Sequence, residues 1–263
     1  MIYVYRYGMI VLYTIIWGVL ACVIGVVDRS GEGILWVARN WIRWILATCH
    51  IEVECEGLEH IDPEQPYVFM SNHQSVLDIG ALVLTLPVDW RFVAKRELTW
   101  VPFFGWALGL SDQIVIDRGN RTSAVRSLQR AAERVRGGIS VIVFPEGTRS
   151  PTGRMREFKS GGFHLAIEAQ VPILPATVSG SFHLIPKRSL KVQSGTIKVS
   201  YGKPIPTRGL GVEERHALKE RVRQAIEQGY DPVLQGAVLA VDPASAPGRG
   251  RATEGGSSLR PSA

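Results

Sequence analysis

The sequence predicts an α/β domain, a largely parallel central sheet flanked by helices, preceded by an N-terminal hydrophobic two-helix membrane anchor. Three observations predict it. Strand-like apolar runs alternate with helical stretches through most of residues 67–178, the pattern of a parallel sheet joined by helical crossovers. Ser140, Val141, Ile142, Val143 and Phe144 form a nearly continuous β-branched run, which suits a strand buried on both faces. Residues 9–27 carry no charge, and their length is close to the ~20 residues that cross a hydrocarbon core.

The anchor comes first. Arg6 precedes the uncharged stretch, and Arg29, Arg39 and Arg43 follow it. That balance places the downstream body in the cytoplasm by the positive-inside rule. No small-residue cleavage site follows, so removal as a signal peptide is not expected. Residues 33–50 form a second apolar segment with Trp36, Trp41 and Trp44, and with Arg39 and Arg43 on one helix face. A tryptophan-rich surface beside a basic stripe fits a helix lying in the membrane interface. The same pattern also fits an amphipathic helix packed on the protein's own core. Residues 1–50 are therefore read as membrane-anchoring helices, 51–235 as the α/β domain, and 236–263, rich in Ala, Pro, Gly, Ser and Arg, as a disordered tail.

Within the domain, residues 51–55 alternate apolar and acidic, as a half-exposed strand does. Residues 67–70, 91–95, 113–116, 140–144, 173–178 and 196–201 read as further strands. Helices are expected at 79–86, stopped by Pro87, at 120–136, stopped by Gly137 and Gly138, at 162–170 and at 212–228. Residues 96–110 are aromatic-rich and too short to span a bilayer. They suit either the mouth of a lipid-accepting groove or buried core.

Composition narrows the partners. The chain has 263 residues, 46% hydrophobic and 21% charged, so the body is globular. A formal net charge of +6 and a pI near 9.4 favour an anionic partner: nucleic acid, an anionic membrane surface or a phosphorylated substrate. The basic residues are dispersed, and no zinc finger, RNA-binding aromatic signature or basic helix is seen. Nucleic acid is thus the weaker choice, and none is expected as a partner. Cys22, Cys49 and Cys55 lack metal-ligand or disulfide-framework spacing.

The chemistry centres on Asn72-His73-Gln74-Ser75-Val76-Leu77-Asp78, just after an apolar strand. Histidine takes a proton near neutral pH. A carboxylate on its other nitrogen fixes the tautomer and stabilises the imidazolium. Five positions on a continuous helix are splayed by roughly 140°. The pair can meet only if His73 precedes a helix and Asp78 lies in its first turns. Ser75 and Asp78 also fit a capping box, with Ser75 as N-cap, and such a cap supplies the required break. Four strand ends then deliver charge: His73 with Asp78, Lys95, Asp117 with Arg118, and Glu146-Gly147-Thr148-Arg149. In a parallel sheet these ends share one edge. Lys95, Arg118 and Arg149 suit a phosphate, whose oxygens a guanidinium fork matches. Gly147 permits close backbone approach and Thr148 offers a hydroxyl.

These residues carry a resemblance to the glycerolipid acyltransferases. Asn72-His73 with Asp78 resembles their NHxxxxD block, and Phe144-Pro145-Glu146-Gly147-Thr148-Arg149 their FPEGTR block. Ile116-Asp117-Arg118 resembles an IDR-containing block, with Val115 where Phe is common. Val171-Pro172-Ile173-Leu174-Pro175 resembles their VPI-x-P block, and Lys95, Glu97, Leu98, Pro102 and Gly105 fit the linking segment. The blocks cover roughly residues 50–205 in the family's order, and a two-helix anchor is also seen in that family.

The resemblance, strongest to the lysophosphatidic acid-acylating members, implies the reaction. A fatty acyl group passes from acyl-CoA or acyl carrier protein to the sn-2 hydroxyl of 1-acyl-sn-glycerol 3-phosphate, giving phosphatidic acid. His73 is implied as general base oriented by Asp78. Arg118 and Arg149, with Lys95, are implied at the acceptor phosphate, with Glu146 and Gly147 shaping the acceptor site. Direct attack on the thioester needs no acyl-enzyme, and no metal or other cofactor is implied. The bilayer is the third expected partner after acceptor and donor, and an inner or cytoplasmic membrane is the expected location if the source is bacterial. Other readings are a same-family enzyme acting on glycerol 3-phosphate or another lysophospholipid, a non-catalytic anionic-lipid-binding membrane protein, and a metal-dependent hydrolase. The last lacks a second acidic or His-rich cluster, since His164 and His183 are isolated.

Overall fold

The structure, a computed structural model, describes residues 1–28, 31–111, 113–116, 121–185 and 191–234. A seven-stranded sheet runs through it: β1 Ile51–Glu56, β2 Val68–Ser71, β3 Trp90–Lys95, β4 Ile114–Ile116, β5 Ser140–Val143, β6 Ile173–Ser179 and β7 Gly195–Tyr201. The strand order is β1-β7-β6-β2-β5-β3-β4. Every pairing is parallel except β6 with β7. The largely parallel sheet expected from the sequence is therefore present, with one antiparallel step. The C-terminal ends of β6, β2, β5, β3 and β4 share one edge.

Helices cover both faces. They are α1 Ile2–Val27, α2 Glu32–Cys49, α3 Leu77–Thr85, α4 Phe104–Leu110, α5 Arg121–Arg136, α6 Gly161–Ala169, α7 Ser181–Leu184 and α8 Arg215–Gln228. The helix expected over 212–228 is divided: Val212–Glu214 is a 3-10 turn leading into α8. The expected C-terminal tail, residues 236–263, lies outside the described residues.

Period-two alternation along each strand builds two cores from one sheet. On β2, Phe69 faces the core beneath α2 and α3, together with Leu82, Leu174, Ile197 and Tyr201. Its neighbours Val68 and Met70 face the opposite core with Phe163, Leu165, Ala132 and Val222. Ile142 of β5 joins the first core, and Val141 and Val143 join the second. This two-sided burial is why these strands read as unbroken apolar runs. Truncating the fully buried Phe69 to Ala would cost about 3–5 kcal/mol.

The N-terminal helices pack together and on the domain. α1 is the one described helix long and apolar enough to cross a membrane. It extends upstream of the expected uncharged stretch to Ile2, so Arg6 lies within it. Arg6 is buried, and its guanidinium donates to Val192 O at 2.7 Å and to Ser194 Oγ at 3.0 Å. At the other end of α1, a Cβ on Gly25 would lie 3.0 Å from Leu110 of α4. α2 corrects part of the expected interfacial surface. Ile34, Leu35, Ile42, Ile45, Leu46 and Cys49 are buried, and Arg39 donates to Val83 O and Leu86 O at 3.4 and 3.0 Å. Arg39 thus satisfies carbonyls left unpaired at the end of α3 instead of forming half of a membrane-facing basic stripe. Trp36 and Trp44 remain exposed. Residues 96–110 form a 3-10 turn, Arg96–Trp100, followed by α4, with Trp100 and Trp106 exposed.

Candidate active site

The chain leaves β2 at Ser71 and does not become helical until Leu77. His73 sits in that loop and Asp78 is the second residue of α3. The non-helical backbone between them turns the two side chains together: His73 Nδ1 and Asp78 Oδ2 are 2.9 Å apart. The same Oδ2 accepts the backbone N–H of Gln74 at 2.6 Å and of Ser75 at 2.8 Å. Ser181 Oγ donates to the other oxygen, Oδ1. Asp78 is fully buried, while His73 retains 13% side-chain exposure.

The capping expectation is corrected in detail. Val76, in helical conformation, occupies the N-cap position without a side-chain cap bond. Ser75 Oγ is a long 3.4 Å from Leu77 N and donates instead to Ile185 O at 3.0 Å. The half of the capping box that survives is the carboxylate one, Asp78 reaching back to the Ser75 N–H.

The loop after β5 wraps this pair. Phe144 stacks on the His73 ring, with centroids 4.1 Å apart and planes at 20°. Pro145 and Glu146 form a turn closed by Gly147 N to Phe144 O, 3.0 Å. Gly147 has φ +72, and a Cβ there would lie 3.0–3.2 Å from the Cδ, Cε and Nζ of Lys159. Ser150 N then donates to His73 O at 2.7 Å, which sets the half-buried Arg149 one residue from a direct backbone bond to His73. Thr148 is exposed.

Glu146 points inward. It is 2% exposed, and its carboxylate accepts His73 N at 2.7 Å and Arg156 N at 2.9 Å. Burial raises its pKa above the usual carboxylate value and outweighs the opposing effect of these two backbone donors. Its side chain fastens the histidine loop to the loop carrying Arg149. Asn72 performs a similar task on the other side: its amide accepts Val178 N and donates to Val178 O, both at 2.8 Å. Gln74 donates to Gly153 O at 2.6 Å and to Tyr230 OH at 3.3 Å. Burial pushes the Tyr230 phenol upward, so it stays protonated at neutral pH.

The structure therefore brings His73, Asp78, Glu146, Gly147, Thr148 and Arg149 together on the ends of the adjacent strands β2 and β5. Lys95 closes β3, the next strand, where its Cα pairs with that of Ile116. Arg118 and Asp117, just beyond β4, lie outside the described residues. Three groups escaped the sequence reading: Phe144 as a stacking partner, Lys159 over Gly147, and Ser181 on Asp78. The sequence offered one signal for Ser181. It follows β6, a fifth strand ending at the same edge.

A carboxylate accepting from Nδ1 leaves Nε2 as the basic nitrogen of the imidazole. Flanking cations and a glycine turn complete a site suited to proton removal beside an anionic ligand. Residues 52–179 match the Acyltransferase family model, the class that this fold and site define. A human 1-acyl-sn-glycerol-3-phosphate acyltransferase alpha is 41% identical over 177 residues, 67% of this chain and 62% of that protein. A 1-acyl-sn-glycerol-3-phosphate acyltransferase from Pseudomonas aeruginosa is 34% identical over 219 residues, 81% of this chain and 84% of its own length. The crystal structure of the 1-acyl-sn-glycerophosphate (LPA) acyltransferase PlsC from Thermotoga maritima aligns with a TM-score of 0.75 at 28% identity, over 87% of this chain and 92% of that one. The chain belongs to the 1-acyl-sn-glycerol-3-phosphate acyltransferase family, and it spans 62% of the length of the mammalian relatives it matches.

Proposed function

We propose that the protein transfers a fatty acyl group from acyl-CoA or acyl carrier protein to the sn-2 hydroxyl of 1-acyl-sn-glycerol 3-phosphate, giving phosphatidic acid. The observation that carries this reading is the buried Asp78 carboxylate 2.9 Å from His73 Nδ1, joined through Glu146 to the loop of Arg149, in a chain of this family.

His73 Nε2 takes the hydroxyl proton as the acceptor oxygen attacks the thioester carbonyl. The C–O bond forms and the tetrahedral intermediate collapses with cleavage of the C–S bond. The imidazolium returns the proton to the departing thiolate. Asp78 holds the tautomer and stabilises the transient imidazolium. Arg149 and Arg118, with Lys95 and Lys159, hold the acceptor phosphate as charge-assisted donors, and the Thr148 hydroxyl is a further donor there. Glu146 shapes this site from behind, by fixing backbone, and Gly147 by leaving room for Lys159.

The membrane is the third partner. Arg6 and Gly25 of α1 both sit against the domain, separated by about 28 Å of helix at 1.5 Å per residue. A helix held at both ends of that length lies along the domain, so its exposed apolar side is a face for lipid and not an isolated span. An apolar groove between α1, α2, α3 and α4 includes Trp17, Val37, Trp41, Val83, Phe104 and Leu108. Its apolar lining suits a lipid chain, and Ile79, beside Asp78, is part of its wall.

An acceptor panel tests the reading. The purified protein is given one labelled acyl-CoA and, separately, lysophosphatidic acid, glycerol 3-phosphate or lysophosphatidylcholine. Phosphatidic acid formed preferentially from lysophosphatidic acid is the expected result. Preference for another acceptor reassigns the substrate within the family. No product from any acceptor, with carrier-protein thioester also tried, favours a non-catalytic lipid-binding role.

A further inference from the structure

Asp78 is a buried carboxylate whose two oxygens are unequally served. Oδ2 accepts three donors: His73 Nδ1, Gln74 N and Ser75 N. All three come from the loop that the carboxylate is meant to orient. Oδ1 accepts from Ser181 Oγ, which arrives from a different element at the end of β6. We propose that Ser181 is a positioning residue for the His73–Asp78 pair, its hydroxyl fixing the carboxylate plane so that Oδ2 stays on the imidazole. This rests on the reading of His73 as the general base.

The placement of Ser181 is itself over-determined. It is fully buried and opens α7 immediately after Gly180. Gly180 has φ +87, and a Cβ there would sit 2.5 Å from Thr196 O, so the bend can be made only by glycine. One residue earlier, Ser179 Oγ accepts the Asp231 N–H at 3.1 Å. The far end of α7 returns to the same loop, where Ser75 Oγ donates to Ile185 O at 3.0 Å. α7 is thus tied at both ends to the segment between His73 and Asp78. A buried carboxylate with one oxygen held only by its own loop can rotate about Cβ–Cγ. The hydroxyl from β6 supplies a reference point outside that loop. Such outer support commonly decides whether a reacting group keeps its productive geometry.

The test compares Ser181→Ala and Ser181→Thr in the full-length protein, with acyl-CoA and lysophosphatidic acid varied separately. Losing one hydrogen bond to a charged group predicts a fall in kcat of about 10- to 100-fold for Ser181→Ala. Both KM values stay within about twofold, because neither substrate touches this hydroxyl, as expected of an interaction acting only in the reacting state. Ser181→Thr keeps the hydroxyl and restores most of the lost kcat. In an Asp78→Asn background, adding Ser181→Ala lowers the residual rate little further, since both changes act through one bond. The proposal is overturned if Ser181→Ala retains wild-type kcat. It is also overturned if the threonine variant is no better than alanine, or if the two losses multiply in the double variant. Full activity of His73→Ala sinks the base assignment itself, an outcome separate from all of these.

Discussion

The two halves of the strand-end edge are built differently. At β2, Asp78 is fully buried and takes four donors, and Glu146 from neighbouring β5 is buried with both oxygens on backbone N–H groups. Away from that centre, Thr148 and Lys159 are exposed, Arg149 is half-buried, and the turn that leads to Thr148 and Arg149 has glycine at φ +72. The buried half has one available geometry. The cationic half presents long side chains that can follow a ligand. Proton transfer tolerates little misplacement, whereas a doubly charged phosphate is held by charge over several ångströms. The difference predicts that damage to the first half appears in kcat and damage to the second in KM for the acceptor.

The largest effect belongs to the dyad. His73→Ala is expected to lower kcat by about 10²–10⁴-fold, the contribution typical of a positioned base. Vesicle binding and thermal stability should persist, because 13% of the histidine side chain is exposed and its backbone bonds remain. Stopped assays of initial rate, with circular dichroism on the same samples, measure both. Near-wild-type turnover would remove the dyad from the mechanism.

Arg149→Ala comes next, and it should move the other parameter. Losing a charge-assisted contact to phosphate predicts a rise in acceptor KM of about 10- to 100-fold, with donor KM unchanged. Equal increases for both substrates would erase the proposed division of the edge into a reacting half and a binding half.

The legibility of the sequence follows the same division. Strand ends were readable because residues such as Phe69 and Met70 enter opposite cores from one continuous apolar run, and each run stops where charge begins. Element bounds differ mostly by a residue or two, as helix and strand ends commonly do. The face of α2 was not readable. Trp36, Arg39, Trp41 and Arg43 favour a membrane surface over a packed helix in the sequence, and only the position of α3 shows Arg39 satisfying its last carbonyls. Ser181 and Lys159 were hidden for another reason. One looks like a turn residue after a strand and the other like a loop cation. What brings them to the site is the path of the chain after β6 and after β5, which composition does not encode.

Glu146 offers a third and smaller effect, read as stability. Its folded-state pKa is raised by burial, so the folded protein binds this proton more tightly than the unfolded chain does. The stability from that proton is complete below the ordinary carboxylate pKa and is lost as pH rises through the raised value. Glu146→Gln should abolish this component of the pH dependence, flattening the fall in melting temperature as pH rises above the ordinary carboxylate pKa. It should also destabilise by about 1–3 kcal/mol, because an amide cannot accept from both His73 N and Arg156 N. A mutant that keeps the full wild-type slope would place the titrating group elsewhere.

Lys159→Ala is expected to have the smallest effect and bears most directly on the comparison. The side chain is exposed and lies over Gly147, so its charge reaches a bound phosphate largely through solvent. Exposed pairs contribute about 0.2–1 kcal/mol, which predicts an acceptor KM raised by no more than about fivefold. The increase should shrink as salt rises from 0.05 to about 0.5 M, where the screening length falls below roughly 5 Å. Arg149→Ala, acting from a half-buried position, should lose less of its effect over the same range. If the two variants respond to salt alike, the cationic half is uniformly solvated, and phosphate binding there is diffuse attraction without a built contact.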